Sequence, residues 1–164
     1  MTQEETKKLF DYLKEQGFIN DDQYQELMEQ KFASFTDMEK YLRRIALLSG
    51  EDWTQAKGAF YGVDYANLIG RNIDSVVLNI LPASLSENYQ IVVFNKEGGN
   101  LEAGLVDPTN FKAIEALNFL ARKKEYKVKY HIISEESYRA AAKQYETLGE
   151  EVGEALDTAE AIFA

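Results

Sequence analysis

Gln90-Ile91-Val92-Val93-Phe94-Asn95 leads through Lys96-Glu97-Gly98-Gly99-Asn100 into Leu101-Glu102-Ala103-Gly104-Leu105-Val106. The first run is nearly continuous in apolar residues and bounded by polar ones, which suits a strand. Gly98-Gly99 supplies the positive φ that a tight hairpin turn requires, and Leu101–Val106 makes the return strand. A glycine pair can also cradle an anion, but such a cradle is followed by a helix N-terminus, and here a strand follows. The stretch therefore predicts a β-hairpin.

Downstream, Asp107-Pro108 predicts a helix start, with Asp as the N-cap and Pro at the first helical position. Ile114, Leu117, Phe119 and Leu120 give that helix its expected buried face. Arg122-Lys123-Lys124 occupy its last turn, where cations suit the dipole. Lys127–Ile133 alternates polar and apolar residues, predicting a strand with one side in solvent, near a sheet edge. Ser134-Glu135-Glu136 opens a final helix through Tyr145. Upstream, Val63–Leu68 reads as a short extended segment and Ile73–Leu81 as a helix ended by Pro82.

The first sixty residues have a different texture. Leu9, Phe10 and Leu13 form one helical stripe, and Gly17 breaks it. Asn20 then caps a second helix, whose stripe is Tyr24, Leu27 and Met28. A shift of 29 residues repeats the pattern, pairing Tyr12 with Tyr41, Leu13 with Leu42, Gly17 with Ala46, Phe18 with Leu47 and Ile19 with Leu48. Asn20 pairs with Ser49, Tyr24 with Trp53 and Leu27 with Ala56 at the same offset. This is the signature of a duplicated helix–turn–helix in which each half covers the other's apolar face.

The expected fold class is α+β: a helical N-terminal unit over 1–62, then an α/β domain over 63–147 with a mixed sheet of about four strands and packed helices. Residues 148–164 are acidic and Ala-rich and read as a linker.

The chain has 164 residues, with 28 acidic against 18 basic side chains and a net charge of −10. A nucleic-acid binder presents a basic field, so nucleic acid is not an expected partner. There is no cysteine, which removes thiolate chemistry and Cys-based metal sites. Met1-Thr2-Gln3-Glu4-Glu5 has no apolar signal core behind it, and no run approaches the roughly 18 apolar residues of a membrane span. A cytoplasmic chain without direct membrane insertion is expected.

Catalytic signatures are missing. There is no G-x-x-x-x-G-K-[ST] phosphate loop, no G-x-G-x-x-G and no nucleophile elbow. His131, the one histidine, sits on an alternating strand, where a half-buried filler is the expected role. The acidic pairs at 4–5, 21–22, 51–52 and 135–136 each open a helix, so dipole stabilisation accounts for them. No catalytic residue and no metal ligand are expected. Trp53, Tyr12, Tyr24 and Tyr41 read either as helix packing or as an anchor patch for a partner. Arg122, Lys123, Lys124, Lys127 and Lys129 read either as a solvated helix end and strand edge or as a docking surface for an acidic partner.

The stretch Asn67–Tyr145 resembles the N-terminal domain of type II secretion and type IV pilus assembly ATPases. The resemblance is carried by Leu68, Ile73-Asp74, Leu81-Pro82-Ala83-Ser84-Leu85 and the hairpin. It continues through Gly104-Leu105-Val106-Asp107-Pro108-Thr109-Asn110 and Ile114–Leu120, and closes on Glu135–Tyr145. It implies a non-catalytic docking or regulatory domain that binds a cytoplasmic part of the inner-membrane platform, or an adaptor of it. It further implies a C-terminal motor domain beyond the acidic linker, a hexameric full-length protein, and ATP and Mg bound only in that motor. No cofactor is expected in this segment.

In one branch of that family the front end resembles a pair of 24-residue motifs with a five-residue spacer that binds cyclic di-GMP, and the offset here equals their sum. On this resemblance the nucleotide-facing positions are Lys8, Leu9, Leu13, Gly17 and Leu42. The branch opens each motif with Arg-Leu-Gly, whereas this chain has Lys8-Leu9-Phe10 and Asp37-Met38-Glu39. Its closing glutamines are replaced by Lys31 and Phe60. Asp37 and Glu39 are expected to repel a dianion, so docking is the expected role and nucleotide sensing the alternative.

Overall fold

The computed structural model describes residues 2–44 and 49–145, in two compact units, Met1–Tyr65 and Ala66–Ala164. The expected linker at 148–164 lies outside the described residues, as do Ala46, Leu47 and Leu48 of the repeat.

Unit 1 is built from helices α1 (Gln3–Glu15), α2 (Asp21–Glu29), α3 (Phe35–Arg44) and α4 (Gly50–Tyr61), ending in the two-residue strand β1 (Asp64–Tyr65). Caps set the helix starts. Thr2 and Glu5 form a reciprocal capping box on α1, and Asn20 and Gln23 form another on α2. Ser49, at the 29-residue offset from Asn20, accepts from the Asp52 N–H at 3.1 Å. Each cap satisfies a backbone donor that the first helical turn leaves orphaned. Between α1 and α2 the chain reverses at Gly17, whose φ of 78° is the left-handed conformation that glycine adopts without strain.

The helices bury one stripe each. Leu9, Phe10, Leu13, Ile19, Leu27, Met38, Leu42, Trp53 and Ala56 form a continuous core. Polar ties register the helices around it. The Tyr24 hydroxyl donates to Asp11 at 2.7 Å, joining α2 to α1. Lys57 meets Glu39 at 3.3 Å, joining α4 to α3. At the end of the unit the Tyr65 hydroxyl donates to Glu51 at 2.6 Å. Burial, then that carboxylate partner, raises the Tyr65 phenol above its usual range.

Unit 2 holds a mixed sheet. Strands β2 (Ile91–Glu97) and β3 (Asn100–Leu105) pair antiparallel, and β3 pairs parallel with β4 (Lys127–Ile132). Beyond β4 the entering chain adds an extended segment, where the Ala66 N–H donates to the Ile132 carbonyl at 3.1 Å. The hairpin reverses at Gly98, with φ 57°. The parallel return from β3 to β4 is made by α7 (Phe111–Lys123), as a crossover between parallel strands requires. Short helices α5 (Ser75–Leu78) and α6 (Ala83–Tyr89) precede the sheet, and residues 135–145 form a helix after it.

Strand alternation sorts the core into two layers. Ile91, Val93, Leu101, Ala103 and Leu105 pack with Ala113, Leu117 and Ala121 of α7. Val92 and Phe94 pack on the opposite side with Leu68, Ile73, Leu78, Ile133, Tyr138 and Ala141. Gly104 faces this second layer. A Cβ placed there would lie 2.8 Å from Ile133 Cγ2 and 2.9 Å from Cδ1, so the bare backbone is what admits the Ile133 side chain.

The helix over 135–145 is fastened at its far end. The Gln144 side chain accepts from the Ile73 N–H at 2.9 Å and donates to the Arg71 carbonyl at 3.0 Å. The Tyr145 hydroxyl sits 2.9 and 2.8 Å from the Leu78 and Leu81 carbonyls, and burial pushes its phenol up to about 12.

Three local expectations are corrected. Asp107 does not cap α7: its carboxylate accepts from the Thr109 N–H at 2.9 Å and from the Thr109 hydroxyl at 2.6 Å, closing an Asx-type turn. Asn110 is the cap, accepting from the Ala113 N–H at 3.2 Å. The helix expected over 73–81 spans only Ser75–Leu78, and a further helix, α6, begins directly after Pro82. Phe119 is not on the buried face of α7; it is 58% exposed.

Candidate functional site

In unit 1 the first turns of α1 and the end of α2 enclose a groove of about 590 Å³. Gln3, Glu4, Thr6 and Lys7 form one wall; Met28, Glu29, Gln30, Lys31 and Phe32 form the other. Capping explains how the walls are placed. The Thr2–Glu5 box fixes the direction of α1, and α2 ends at Gln30, where the backbone turns extended (ψ 147°) and carries Lys31 and Phe32 across the opening. Phe32 is held by aromatic neighbours, with its ring centroid 6.3 Å from that of Phe10, edge to face, and 5.4 Å from that of Tyr41. The groove thus offers two ammonium groups, two side-chain amides and a supported aromatic face, opposed by the carboxylates of Glu4 and Glu29.

The five positions named as nucleotide-facing separate by burial. Leu9, Leu13 and Leu42 are at most 1% exposed and belong to the core. Lys8 lies exposed on α1. Gly17 lies at the turn, with open space where a Cβ would be. The groove residues Lys7, Gln30 and Phe32 were not singled out from sequence, although Gln30 stands one place before Lys31, where the motif would close. Trp53, 2% exposed, is a packing residue of the core.

Asp37 and Glu39 are less repulsive than their charges suggest. Asp37 accepts from the Ser34 hydroxyl at 3.1 Å. Glu39 lies between Lys57 at 3.3 Å and Arg43 at 3.4 Å.

The structure distributes the basic cluster of unit 2 instead of gathering it. Arg122 borders a groove with Tyr89, Lys112 and Phe119. Lys123 projects over the Phe119 ring, with Nζ 4.5 Å from its centroid. Lys124 faces Lys96, Tyr126 and Val76. Lys127 and Lys129 line a third hollow with Asn95, Glu97 and Glu102.

Near that hollow lies a polar network that the sequence did not reveal. Glu102 accepts from the Asn95 amide at 2.6 Å and pairs with His131 Nε2 at 3.1 Å. As a carboxylate it can only accept, so Nε2 carries the proton. The Asn95 hydrogen bond, then that of His131, holds the Glu102 carboxyl below its usual range against the opposing effect of burial. A depressed carboxylate contributes stability above its unfolded pKa, and that contribution is lost as pH falls through the folded value. Asn95→Ala is therefore expected to raise the Glu102 pKa and to move acid unfolding to higher pH. A carboxyl-carbon NMR titration of Glu102 measures this, and an unmoved midpoint refutes it.

Among the described residues no group of three His, Asp or Glu side chains could hold a metal ion, and no helix is long and apolar enough to cross a membrane.

The MshEN domain profile matches residues 61–152, more than half of the chain. The chain belongs to the MshEN domain family. It is 24% identical over 138 residues to the type IV pilus assembly ATPase PilB of Myxococcus xanthus (strain DK1622), covering 84% of this chain and 24% of PilB. The chain thus spans about a quarter of the length of that relative. The structure of MshE with cdg (cyclic di-GMP) has a TM-score of 0.59 at 19% identity, over 84% of this chain and 97% of that one. The N-terminal domain of XpsE has a TM-score of 0.53 at 15% identity, over 87% and 95%. The MshEN chain described here therefore has the fold of these ATPase N-terminal domains, as the Asn67–Tyr145 resemblance anticipated. One expectation is overturned. The sequence leads to no cofactor in this segment, and MshE, which shares its fold, is solved with cyclic di-GMP.

Proposed function

We propose that this chain is a non-catalytic regulatory domain of a secretion or pilus-assembly ATPase, and that its helical unit binds cyclic di-GMP at the α1–α2 groove. The observation that carries the reading is the recurrence of a side-chain cap at Asn20 and Ser49, at the heads of α2 and α4, in a fold shared with a protein solved with that nucleotide. Lys7 and Lys31 supply charge for the two phosphates. Phe32, already braced by Phe10 and Tyr41, supplies a stacking face for a guanine. Gln3 and Gln30 supply donors and acceptors for base edges, while Lys8 and Gly17 lie exposed on the same helix and its turn. The carboxylates facing the groove, Glu4 and Glu29, weaken the site relative to an all-cationic one. In this reading ATP and Mg belong to a motor domain elsewhere in a longer protein, which docks on the inner-membrane platform and assembles as a hexamer.

Isothermal calorimetry of the full chain with cyclic di-GMP tests the proposal. Binding heat is expected, and reversing both charges (Lys7→Glu with Lys31→Glu) should weaken affinity by about a hundredfold, at roughly tenfold per lost phosphate contact. Absence of heat at ligand concentrations of roughly tens of micromolar, a range that reports Kd values of that order, would refute it. Binding that the double variant leaves unchanged would move the site away from this groove.

A further inference from the structure

The groove between α1 and α2 is lined by charge of both signs, Lys7 and Lys31 together with Glu4 and Glu29. Among the described residues no hydrogen bond or ion pair reaches any of these four side chains. A groove that keeps both signs unpaired suits a ligand presenting anions at one part and hydrogen-bond donors at another. The fold accounts for one carboxylate and not for the other. Glu4 lies in the first turn of α1, where the positive end of the helix dipole favours it. Glu29 is the last residue of α2, whose last turn holds no basic side chain, so its carboxylate stands at the negative end of the dipole. No packing offsets that cost, because Glu29 is exposed.

Glu29 shares its wall of the groove with Phe32, the ring that Phe10 and Tyr41 brace. An aromatic face and an acceptor beside it are what identify a nucleobase, the face by stacking and the acceptor by reading an edge. The edge chemistry is selective. A carboxylate only accepts. Guanine presents two adjacent donors on its Watson–Crick edge, N1–H and the N2 amino group, and a carboxylate meets both. Adenine presents the N1 lone pair beside its N6 amino group, so the same carboxylate gains one hydrogen bond and faces a second acceptor.

We propose that Glu29 is the specificity-determining residue of the groove, its carboxylate accepting from guanine N1–H and the N2 amino group and so selecting a guanine over an adenine cyclic dinucleotide. This role rests on the groove being a cyclic di-GMP site and supplies the basis of its selectivity. Lys7 and Lys31 hold phosphates that both nucleotides share, while Glu29 distinguishes the bases. The carboxylate then has two effects of opposite sign. Repulsion of the phosphates lowers affinity for every dinucleotide alike, and salt damps it beyond about 8 Å. Edge pairing raises affinity for guanine alone, by roughly tenfold to a hundredfold for a charge-assisted bidentate pair.

Calorimetry on the full chain with cyclic di-GMP and with cyclic di-AMP, before and after Glu29→Gln, separates the two effects. Because Glu29 is exposed, the substitution leaves the core intact. It removes a negative charge from the groove, so repulsion acting alone would make both nucleotides bind tighter. The expected result for guanine is the reverse. Cyclic di-GMP should weaken by roughly tenfold or more. Cyclic di-AMP should bind equally well or tighter, since the glutamine amide both donates and accepts, as the adenine edge requires. Tighter cyclic di-GMP binding by Glu29→Gln, or an equal change for the two nucleotides, overturns the role of Glu29. The groove remains the site in that case if Lys7→Glu with Lys31→Glu still weakens binding. Absence of cyclic di-GMP binding by the unsubstituted chain overturns the site itself, and the role of Glu29 with it.

Discussion

Trp53→Ala is expected to abolish the cooperative folding of unit 1. The indole is 2% exposed in the core that joins the four described helices of the unit, and large-to-small replacement at such a site costs about 3–5 kcal/mol. A unit of this size has little stability to lose, since small domains bury a modest fraction of their surface. The cavity cannot be relieved locally. Leu9, Phe10, Leu13 and Met38 are themselves fully buried in the same cluster and anchored on capped helices. The expected result is collapse of amide dispersion for residues 3–61 at a temperature where the β2–β3 hairpin signals remain native. Survival of the unit 1 spectrum with a melting shift of only about 5 °C, equivalent to roughly 1 kcal/mol, would contradict this account of the core.

Gly104→Val should be the most damaging single change in the sheet. The added Cβ meets Ile133 at 2.8 and 2.9 Å, closer than carbon atoms approach. Both neighbours are fixed: Gly104 is paired to Val92 on one side and His131 on the other, and Ile133 is 1% exposed. Overpacking of this kind costs about 1–3 kcal/mol and occasionally more. A distinguishing feature is the interaction with Ile133. Gly104→Ala and Ile133→Ala should each destabilise alone, while the double variant should be less destabilised than their sum, with coupling of about 1 kcal/mol or more. Urea unfolding of the four species measures it. Strict additivity would mean that Ile133 is not what excludes a side chain at Gly104.

What could be read from sequence follows from where the physics is local. The hairpin was legible because Gly98-Gly99 and the apolar run at 91–94 each specify it within a few residues. Asn20 and Ser49 were legible as caps because capping is set by the residue and the next three. Asp107-Pro108 misled because the same two residues serve an Asx turn as well as a helix start; only the hydrogen bonds of Thr109 separate the two. Phe119 misleads because hydrophobicity alone does not place a residue on the buried face. The residues that face the sheet from α7 are Ala113, Leu117 and Ala121, and Phe119 lies two positions off that row, in line with exposed Glu115. α6 is not legible in the sequence because Ala83–Tyr89 is short and mostly polar.

The candidate site was less legible than the fold, for a related reason. The leucines of a repeat announce themselves by periodicity, but three of the five selected positions proved to be core. The groove is made instead by residues at the beginning of one helix and beyond the end of another, Lys7 and Gln30–Phe32. Their proximity depends on how the α1–α2 turn closes, and no spacing rule within one helix reports that. The basic cluster shows the converse: of five cations within eight residues of sequence, four open onto three separate hollows and Lys123 projects over Phe119.

The fastening of Gln144 and Tyr145 has a mechanical consequence. Helix ends ordinarily fray, so a pull on the chain beyond them is absorbed by unwinding. Here the last described turn is stitched by side chains to the backbone at Arg71, Ile73, Leu78 and Leu81. Those attachments precede the sheet and share its second core layer through Ile73 and Leu78. Tension applied after Tyr145 is therefore carried into the body of unit 2 as a whole, and the helix acts as a rigid handle on the domain instead of a compliant hinge.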